Sequence, residues 1–305
     1  MTAGVLAVVG ATATGKSDLA LALAEALDGE IVNADASQLY RGMDIGTAKL
    51  PPDQRRGIPH HQLDVLDIAQ DASVAAYQRA ARADIEAILA RGRTPIVCGG
   101  SGLYVRAALD VLTIPPTDPA VRAAWEDRLA ERGIEELFAE LARRDPVAAA
   151  AIEPRNARRV IRALEVIELT GRPFSATMPR REYVRPAAQV GLRLDRAELD
   201  RRIDARTARM WTDGLMAEVR GLQARGLSAT RTASRAVGYV QALAQLRGEL
   251  TEEAAIADTA RATRRLARRQ ESWFGADPRV RWLAADSADL LASALRSIRQ
   301  PSDQH

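Results

Sequence analysis

Apolar and polar positions along the chain follow two different periods. Short apolar runs typical of buried strands occur at 5–9, 30–34, 94–98, 189–194 and 280–283. Longer segments with helical periodicity occur at 18–27, 73–90, 197–222 and 256–273. In the second of these, one face is formed by Val74, Tyr77, Ala81, Ile85 and Ile88. Strands that alternate with helices predict an α/β fold in which a mostly parallel sheet is flanked by helices.

This alternation is interrupted between residues 115 and 186. The interruption is bounded by Pro115-Pro116 and by Pro186, its pattern is largely helical, and it contains no convincing strand. We therefore predict an α/β core formed by residues 1–114 and 187–305, and an inserted all-helical domain formed by residues 115–186.

The loop after the first predicted strand carries the strongest chemical signal. It reads GATATGKS and matches the ATP-binding phosphate-loop pattern G-x-x-x-x-G-K-S/T in the strand, loop, helix context that this pattern requires. Backbone N–H groups, the helix N-terminus and the Lys16 ammonium can hold a di- or triphosphate, and Ser17 can help to hold Mg²⁺. The predicted phosphate-binding residues are Gly10, Ala11, Thr12, Ala13, Thr14, Gly15, Lys16 and Ser17.

Two other strand ends bear on the chemistry. An open parallel sheet binds ligands at the carboxyl ends of its strands, so we expect Asp35 near the phosphate loop as a metal ligand, a helix N-cap or a general base. The run at 94–98 ends in Gly99-Gly100-Ser101, where an NTP-hydrolysing enzyme usually has an aspartate. This difference counts against an ordinary ATPase and leaves a small-molecule kinase open.

Composition narrows the possible classes of protein. With 305 residues, of which 47% are hydrophobic, the chain can bury a sizeable core. Its single cysteine, Cys98, excludes an internal disulfide, and its three histidines are too few for a metal cluster. No apolar run approaches the ~18 residues of a membrane span and no signal-peptide pattern is present, so we expect a cytoplasmic protein without membrane association.

The formal charge is +3, and basic residues are concentrated in two helical stretches. Arginines of the predicted insertion that share one face, if their helix begins early enough, are Arg155, Arg158, Arg159 and Arg162. Arginines that span about 140° of the circumference of the 256–273 helix are Arg261, Arg264, Arg265, Arg268 and Arg269. Each face is either solvated or contacts the phosphate backbone of a nucleic acid, and the spacing leaves both possibilities open.

Several longer stretches resemble one family, the bacterial tRNA dimethylallyltransferases (tRNA isopentenyltransferases). The resemblance extends over nearly the whole chain, and RGMDIGTAK is far more specific than the phosphate loop. The stretches are GATATGKS at 10–17, NADASQLYRGMDIGTAK at 33–49, GGSGLYVRAAL at 99–109, NARRVIRALEV at 156–166, TGRP at 170–173, RAVGYVQ at 235–241 and ATRRLARRQESWF at 262–274.

This resemblance implies transfer of a dimethylallyl group from dimethylallyl diphosphate to N6 of the adenosine 3′ of the tRNA anticodon, position 37, with release of diphosphate. In such enzymes Lys16 neutralises the leaving diphosphate, Ser17 aids coordination of the cofactor Mg²⁺, and Arg206 supplies a second cation. Asp35 would accept an N6 proton as general base, a contribution of ~10²–10⁴-fold. Ser101 stands where the family usually has Thr, and its hydroxyl would bond the amine or the diphosphate. The family is typically monomeric, without an obligate protein partner.

The resemblance also implies contacts with the tRNA anticodon stem-loop. The stem phosphates would meet the insertion and the basic helix. The residues at matching positions are Asp35, Ala36, Ser37, Gln38, Ser101, Arg122, Arg158, Arg159, Arg162, Arg235, Gly238, Tyr239, Arg265 and Arg268. The family often has a basic residue where this chain has Val240.

Two alternative functions stay open. A related enzyme class prenylates free AMP, ADP or ATP, but a mononucleotide needs neither the helical insertion nor the basic helix. A P-loop kinase acting on a small metabolite would consume ATP and release ADP, whereas the transferase releases inorganic diphosphate and consumes no ATP.

Overall fold

The computed structural model describes residues 4–177 and 181–299. The strands of its sheet are β1 Val5–Gly10, β2 Gly29–Asn33, β3 His60–His61, β4 Thr94–Gly99, β5 Ala187–Arg193 and β6 Val280–Ala284. All pairings are parallel, and the strand order is β3-β2-β4-β1-β5-β6. The predicted α/β class and parallel sheet are therefore confirmed. The sequence pattern missed β3, an edge strand of two polar residues that is too short to show a period.

Helices surround the sheet and form the stretch between β4 and β5. Their bounds are α1 Lys16–Ala26, α2 Val74–Ala90, α3 Gly102–Leu109, α4 Pro119–Arg144, α5 Pro146–Ala151, α6 Ala157–Thr170, α7 Arg196–Thr212, α8 Leu215–Ala224, α9 Tyr239–Leu246, α10 Glu252–Gly275 and α11 Leu290–Arg299. The prediction of one helix over 197–222 was wrong, because Gly214 has φ +103° and separates α7 from α8. No helix in the described ranges is both long and apolar enough to cross a bilayer.

The chain divides into two compact units. The first spans Met1–Leu109 and Tyr183–His305 and contains the sheet, and the second spans Asp110–Glu182 and is helical. The predicted insertion, 115–186, is offset from the second unit by five residues at its start and by four at its end.

The core of the first unit is built around β1, in which every residue is buried. On one face of the sheet, Val8, Ile96 and Val190 share an apolar cluster with Leu19 of α1 and Ala294 of α11. A separate cluster packs α8 and α9 against the loop that contains Met43. Because every residue of β1 is buried, a ligand can meet this strand only at its end, through the loop that follows Gly10.

The second unit has a core of its own. Helices α4, α5 and α6 pack around apolar side chains that include Trp125, Leu141 and Leu164. Helix α4 is interrupted at Gly133, where φ is +79°. Prolines begin both α4 and α5, where a missing N–H costs nothing, and Asp118 and Asp145 accept N–H bonds as N-caps.

Candidate functional site

The loop between β1 and α1 has backbone angles that only glycine adopts readily. Gly10 has φ +136°, and a Cβ there would lie 2.7 Å from Leu192 O. Gly15 has φ +85° and is the N-cap of α1, so the free N–H groups of the helix N-terminus follow it directly. These are the features that let a backbone approach an anion closely.

Lys16 is the first residue of α1 and is partly buried. Its Nζ donates to Ala11 O at 2.6 Å. Burial lowers the pKa of Lys16 from 10.5 to about 8, with Arg206 acting in the same direction and Asp35 opposing it. The ammonium is therefore held inside the loop, at a pKa that a bound anion would raise again.

Arg206 on α7 places a second cation against the same loop. Its Nη2 donates to Thr12 Oγ1 at 2.8 Å, while its Nε is buried and has no hydrogen-bond partner among the described residues. Burial lowers the pKa of Arg206, and the Asp35 carboxylate opposes that shift. A buried guanidinium with an unused donor fits an anionic ligand, because a phosphate oxygen would supply the missing acceptor.

Asp35 follows β2 and is fixed through its backbone and one carboxylate oxygen. Its N–H donates to Asn33 Oδ1 at 3.0 Å, and its Oδ1 accepts from Ser37 N at 2.9 Å. Ser101 lies beside it, since Ser101 Oγ accepts from Ala36 N at 3.2 Å. Asp35 is not the N-cap that the sequence allowed, because the short turn Ser37–Leu39 has Ala36 as its N-cap; the Asp35 carboxylate instead bonds the backbone two residues on, as in an Asx turn. Its Oδ2 makes no hydrogen bond with any residue of the described ranges, so a second role is open.

Two cavities meet at these residues. The first, of about 200 Å³, is lined by Lys16, Ser17 and Gln38. The second, of about 500 Å³, is lined by Ser101, Tyr104 and Trp273. Residues that line both are Thr12, Asp35, Thr47, Gly100 and Arg206. One cleft therefore has a cationic end and an apolar, aromatic end, with Asp35 and Arg206 where they join.

The first cavity also contains oxygen ligands suited to a magnesium ion. The Ser17 hydroxyl and the Asp18 and Asp35 carboxylates line it. No cluster of three or more His, Cys, Asp or Glu side chains that could hold a metal occurs within the described part of the chain. These donors fit Mg²⁺ held by one or two protein oxygens, water and ligand phosphates, which is its usual manner of binding, rather than a cage made of protein alone.

A single carboxylate, Glu218 on α8, holds the loop that closes one side of the cleft. It accepts N–H bonds from Asp44, Ile45 and Gly46 at 2.8–3.3 Å and the Tyr239 hydroxyl at 2.6 Å. The side chain of Tyr239 is fully buried. Any contribution of Tyr239 to tRNA binding is therefore indirect, through the position of this loop.

Lys49 completes the same loop and is buried. Its Nζ lies 2.6 Å from both Asp44 Oδ1 and Asp64 Oδ1 and donates to Tyr40 O at 2.8 Å. The RGMDIGTAK stretch therefore folds around its own lysine, which shapes the loop instead of facing the cleft.

The remaining predicted tRNA contacts of the first unit differ in exposure. Arg235 is exposed and lines the second cavity, as do Ser37 and Ser101. Gly238 is buried and precedes α9 with φ +93°. Among the α10 arginines, Arg261 pairs with Asp258 and Arg264 with Asp204. The arginines of that face that are exposed and form no ion pair within the described residues are Arg265, Arg268 and Arg269.

In the second unit the predicted contacts fall into two groups. Arg158 and Arg159 are exposed on α6. Arg122 and Arg162 instead pair with buried Glu165, at 2.6 and 3.0 Å. Burial acts to raise the pKa of Glu165, but hydrogen bonds from these two guanidinium groups outweigh it and the pKa is lowered.

One expectation about this arginine face was wrong. Arg155 precedes α6, which begins at Ala157 after the N-cap Asn156, so the four arginines do not share a helical face. Asn156 Oδ1 accepts from Arg159 N, and this N-cap fixes the start of α6 after Arg155.

Known proteins are similar to this chain over nearly its whole length. A family model described as IPP transferase matches residues 38–277. The tRNA dimethylallyltransferase of Kineococcus radiotolerans is 59% identical over 300 residues, which is 96% of this chain and 95% of the relative. That of Streptomyces avermitilis is 60% identical over 300 residues, which is 97% of this chain and 96% of the relative.

Solved structures are similar in fold. The full-length tRNA isopentenylpyrophosphate transferase of Bacillus halodurans has a TM-score of 0.71 at 36% identity and covers 98% of this chain and 97% of its own. A eukaryotic dimethylallyltransferase acting on tRNA has a TM-score of 0.79 at 26% identity and covers 96% of this chain and 77% of its own. On the match to residues 38–277 and the near full-length identity to its relatives, this chain belongs to the IPP transferase family.

Proposed function

We propose that this protein transfers a dimethylallyl group from dimethylallyl diphosphate to N6 of the adenosine 3′ of the anticodon, position 37, in tRNA, and releases diphosphate. The observation that carries the proposal is the position of Asp35 and Arg206 where the cationic and the aromatic cavities join. An anionic leaving group and an apolar, base-sized acceptor can then meet at one carboxylate.

The diphosphate binds at the cationic end. The N–H groups of the 10–17 loop, Lys16 and Arg206 neutralise the charge that builds up on the diphosphate as the allylic C–O bond breaks. When bound, Mg²⁺ adds further positive charge to the same oxygens, and Ser17 is the residue that would hold it. No aspartate is required at the end of β4, since no nucleotide is hydrolysed.

The acceptor adenine enters the second cavity, beside Tyr104 and Trp273. The base must leave the anticodon stack, which costs a few kcal/mol, and stacking on aromatic side chains returns about 1–3 kcal/mol. As N6 attacks the allylic carbon, the new C–N bond forms, the C–O bond breaks, and one N6 proton passes to Asp35. The Ser101 hydroxyl, whose oxygen accepts from Ala36 N, keeps its own proton to donate to the substrate.

The tRNA backbone is bound outside this cleft. Arg265 and Arg268 are exposed on α10 and carry no ion pair with other described residues, so they are available to phosphates. Arg158 and Arg159 of the second unit are exposed as well and are proposed to contact the stem. Because its substrate is tRNA, we place the reaction in the cytoplasm, and because every group assigned to the chemistry comes from one copy of the first unit, we propose a monomer.

The test offers the protein two acceptors in parallel. Purified enzyme is incubated with radiolabelled dimethylallyl diphosphate, Mg²⁺ and either unmodified tRNA or AMP. We expect label in tRNA alone, with release of inorganic diphosphate. Label in AMP alone would contradict the proposal and favour nucleotide prenylation. Consumption of ATP with release of ADP, and no label in either acceptor, would favour a kinase.

A further inference from the structure

Gln270 on α10 joins two loops at the carboxyl edge of the sheet. Its Oε1 accepts from Thr12 N at 2.8 Å, and its Nε2 donates to Gly100 O at 3.0 Å. The residue is only 8% exposed, so water competes little for these bonds. A single buried amide thus ties the 10–17 loop to the loop that leads from β4 to Ser101.

The surroundings of this amide are shaped to hold it. A Cβ on Gly100 would lie 2.3 Å from Gln270 Nε2, so the absence of a side chain at residue 100 is what admits the amide. On the other side, Thr12 is also bonded through its Oγ1 to Arg206. The contacts therefore lead from Gln270 to the second cation in one direction and to Ser101 in the other.

We propose that Gln270 is a positioning residue, which fixes the diphosphate-holding loop relative to Ser101 and Asp35 during dimethylallyl transfer. This inference rests on the proposed function. The leaving diphosphate and the acceptor amine are bound by different loops, and their reaction requires both in one geometry. An amide suits this task because it offers one donor and one acceptor to two backbone groups and adds no charge beside the diphosphate.

The position of Gln270 on α10 extends the same argument. Arg265 and Arg268 precede Gln270 on this helix by about one and a half turns and about half a turn, and both are exposed, whereas Gln270 is buried and lines the second cavity. Helix α10, which we propose contacts tRNA phosphates, therefore also fixes the position of the phosphate-binding loop relative to the acceptor site.

The first test is Gln270→Leu, which replaces the amide with an apolar side chain of similar size and removes both hydrogen bonds. We expect kcat to fall by about 100-fold, because a shift of about 1 Å between reacting groups costs this much. Equilibrium binding of tRNA and of inorganic diphosphate should stay close to wild type. Amide hydrogen exchange in residues 10–15 should become faster.

The matched control is Gln189→Leu. Gln189 is a buried glutamine of β5 that lines neither cavity, and the substitution removes its hydrogen bond to the Tyr183 hydroxyl. This control should keep the wild-type kcat.

A second variant, Gln270→Glu, gives a readout that a purely structural role would not move. The protonated carboxylic acid can accept from Thr12 N and donate to Gly100 O, whereas the carboxylate cannot donate. The ratio of its kcat to that of wild type should therefore rise as the pH falls, while the same ratio for Gln270→Leu stays constant.

Wild-type kcat in Gln270→Leu would overturn the inference, as would unchanged exchange in residues 10–15 or a pH-independent ratio for Gln270→Glu. The wild-type protein in the same assay separates this inference from the proposed function. If wild type transfers no label to tRNA, the proposed function fails, and the exchange measurement still decides whether Gln270 fixes the loop.

Discussion

At the scale of single residues, Asp35 combines a structural and a chemical role without conflict. Oδ1 accepts a hydrogen bond from Ser37 N, two residues on, and the Asp35 side chain still lines both cavities. Asparagine at this position would keep an oxygen that accepts from Ser37 N, and would lose the negative charge and with it the ability to take a proton. The substitution Asp35→Asn therefore separates the two roles.

We expect Asp35→Asn to lower the rate of dimethylallyl transfer by at least ~10²-fold, the usual contribution of a general base. Because the hydrogen bond from Ser37 N can be retained, tRNA affinity and the thermal unfolding midpoint should remain those of wild type. Single-turnover transfer and a tRNA binding titration measure the two effects separately. Near-normal turnover would remove Asp35 from the chemistry.

Lys16 gives a prediction about pH. Its pKa of about 8 in the ligand-free protein lies below the ordinary 10.5, so the ammonium that binds diphosphate is lost progressively as the pH rises through about 8. The affinity for inorganic diphosphate should therefore fall by up to about tenfold per pH unit above that value. Calorimetric titration from pH 7 to 9.5 measures this effect. Lys16→Gln should bind more weakly at every pH without the decline, and a flat wild-type profile would contradict the account.

The residues that could be predicted from sequence are those carried by local motifs. Lys16 belongs to a contiguous pattern, and Asp35 follows an apolar run, so neither requires knowledge of distant contacts. Glu218 and Gln270 were missed because each acts on residues far away in the chain, Gln270 on a loop 258 positions earlier. A lone glutamate or glutamine on an amphipathic helix carries no signal that distinguishes it from a solvated one.

At the scale of elements, the arginines of α10 have regular spacing along the helix but different neighbours. Its arginines share a broad face, but two of them are engaged by Asp258 and Asp204. The sequence fixes the angular positions of side chains on a helix, whereas the ion pairs depend on which other elements pack against it. The same limit explains the wrong prediction of one helix where α7 and α8 lie. A glycine such as Gly214 can continue a helix or end it, and the packing of distant elements decides between the two.

Arg265→Ala combined with Arg268→Ala should weaken tRNA binding and flatten its dependence on salt. Each lost phosphate contact lowers the slope of log K against log salt by about 1. The matched control is Arg261→Ala with Arg264→Ala, which removes the same charge from the same helix at positions already paired with carboxylates. Filter binding over a range of salt concentrations measures both slopes. Equal slopes for the two double variants would show that this face of α10 is merely solvated.

At the scale of the whole molecule, the sheet order places β4 and β5 on either side of β1. The loops after β1, β2 and β4 then reach the same edge, which is where Lys16, Asp35 and Ser101 lie. This convergence follows from the parallel α/β class and could be anticipated from the strand pattern. The cavity volumes and the aromatic lining could not, because Trp273 and Tyr104 come from helices whose packing the pattern leaves undetermined.

The most direct test of the central claim is identification of the modified nucleoside. Wild-type protein, dimethylallyl diphosphate and Mg²⁺ are incubated with unmodified tRNA, and the digested product is analysed by mass spectrometry, beside a tRNA that carries guanosine in place of the adenosine 3′ of the anticodon. The account predicts N6-dimethylallyl adenosine at that position in the first tRNA and no modification of the second. Modification at another position, or modification of the tRNA that carries guanosine, would contradict it.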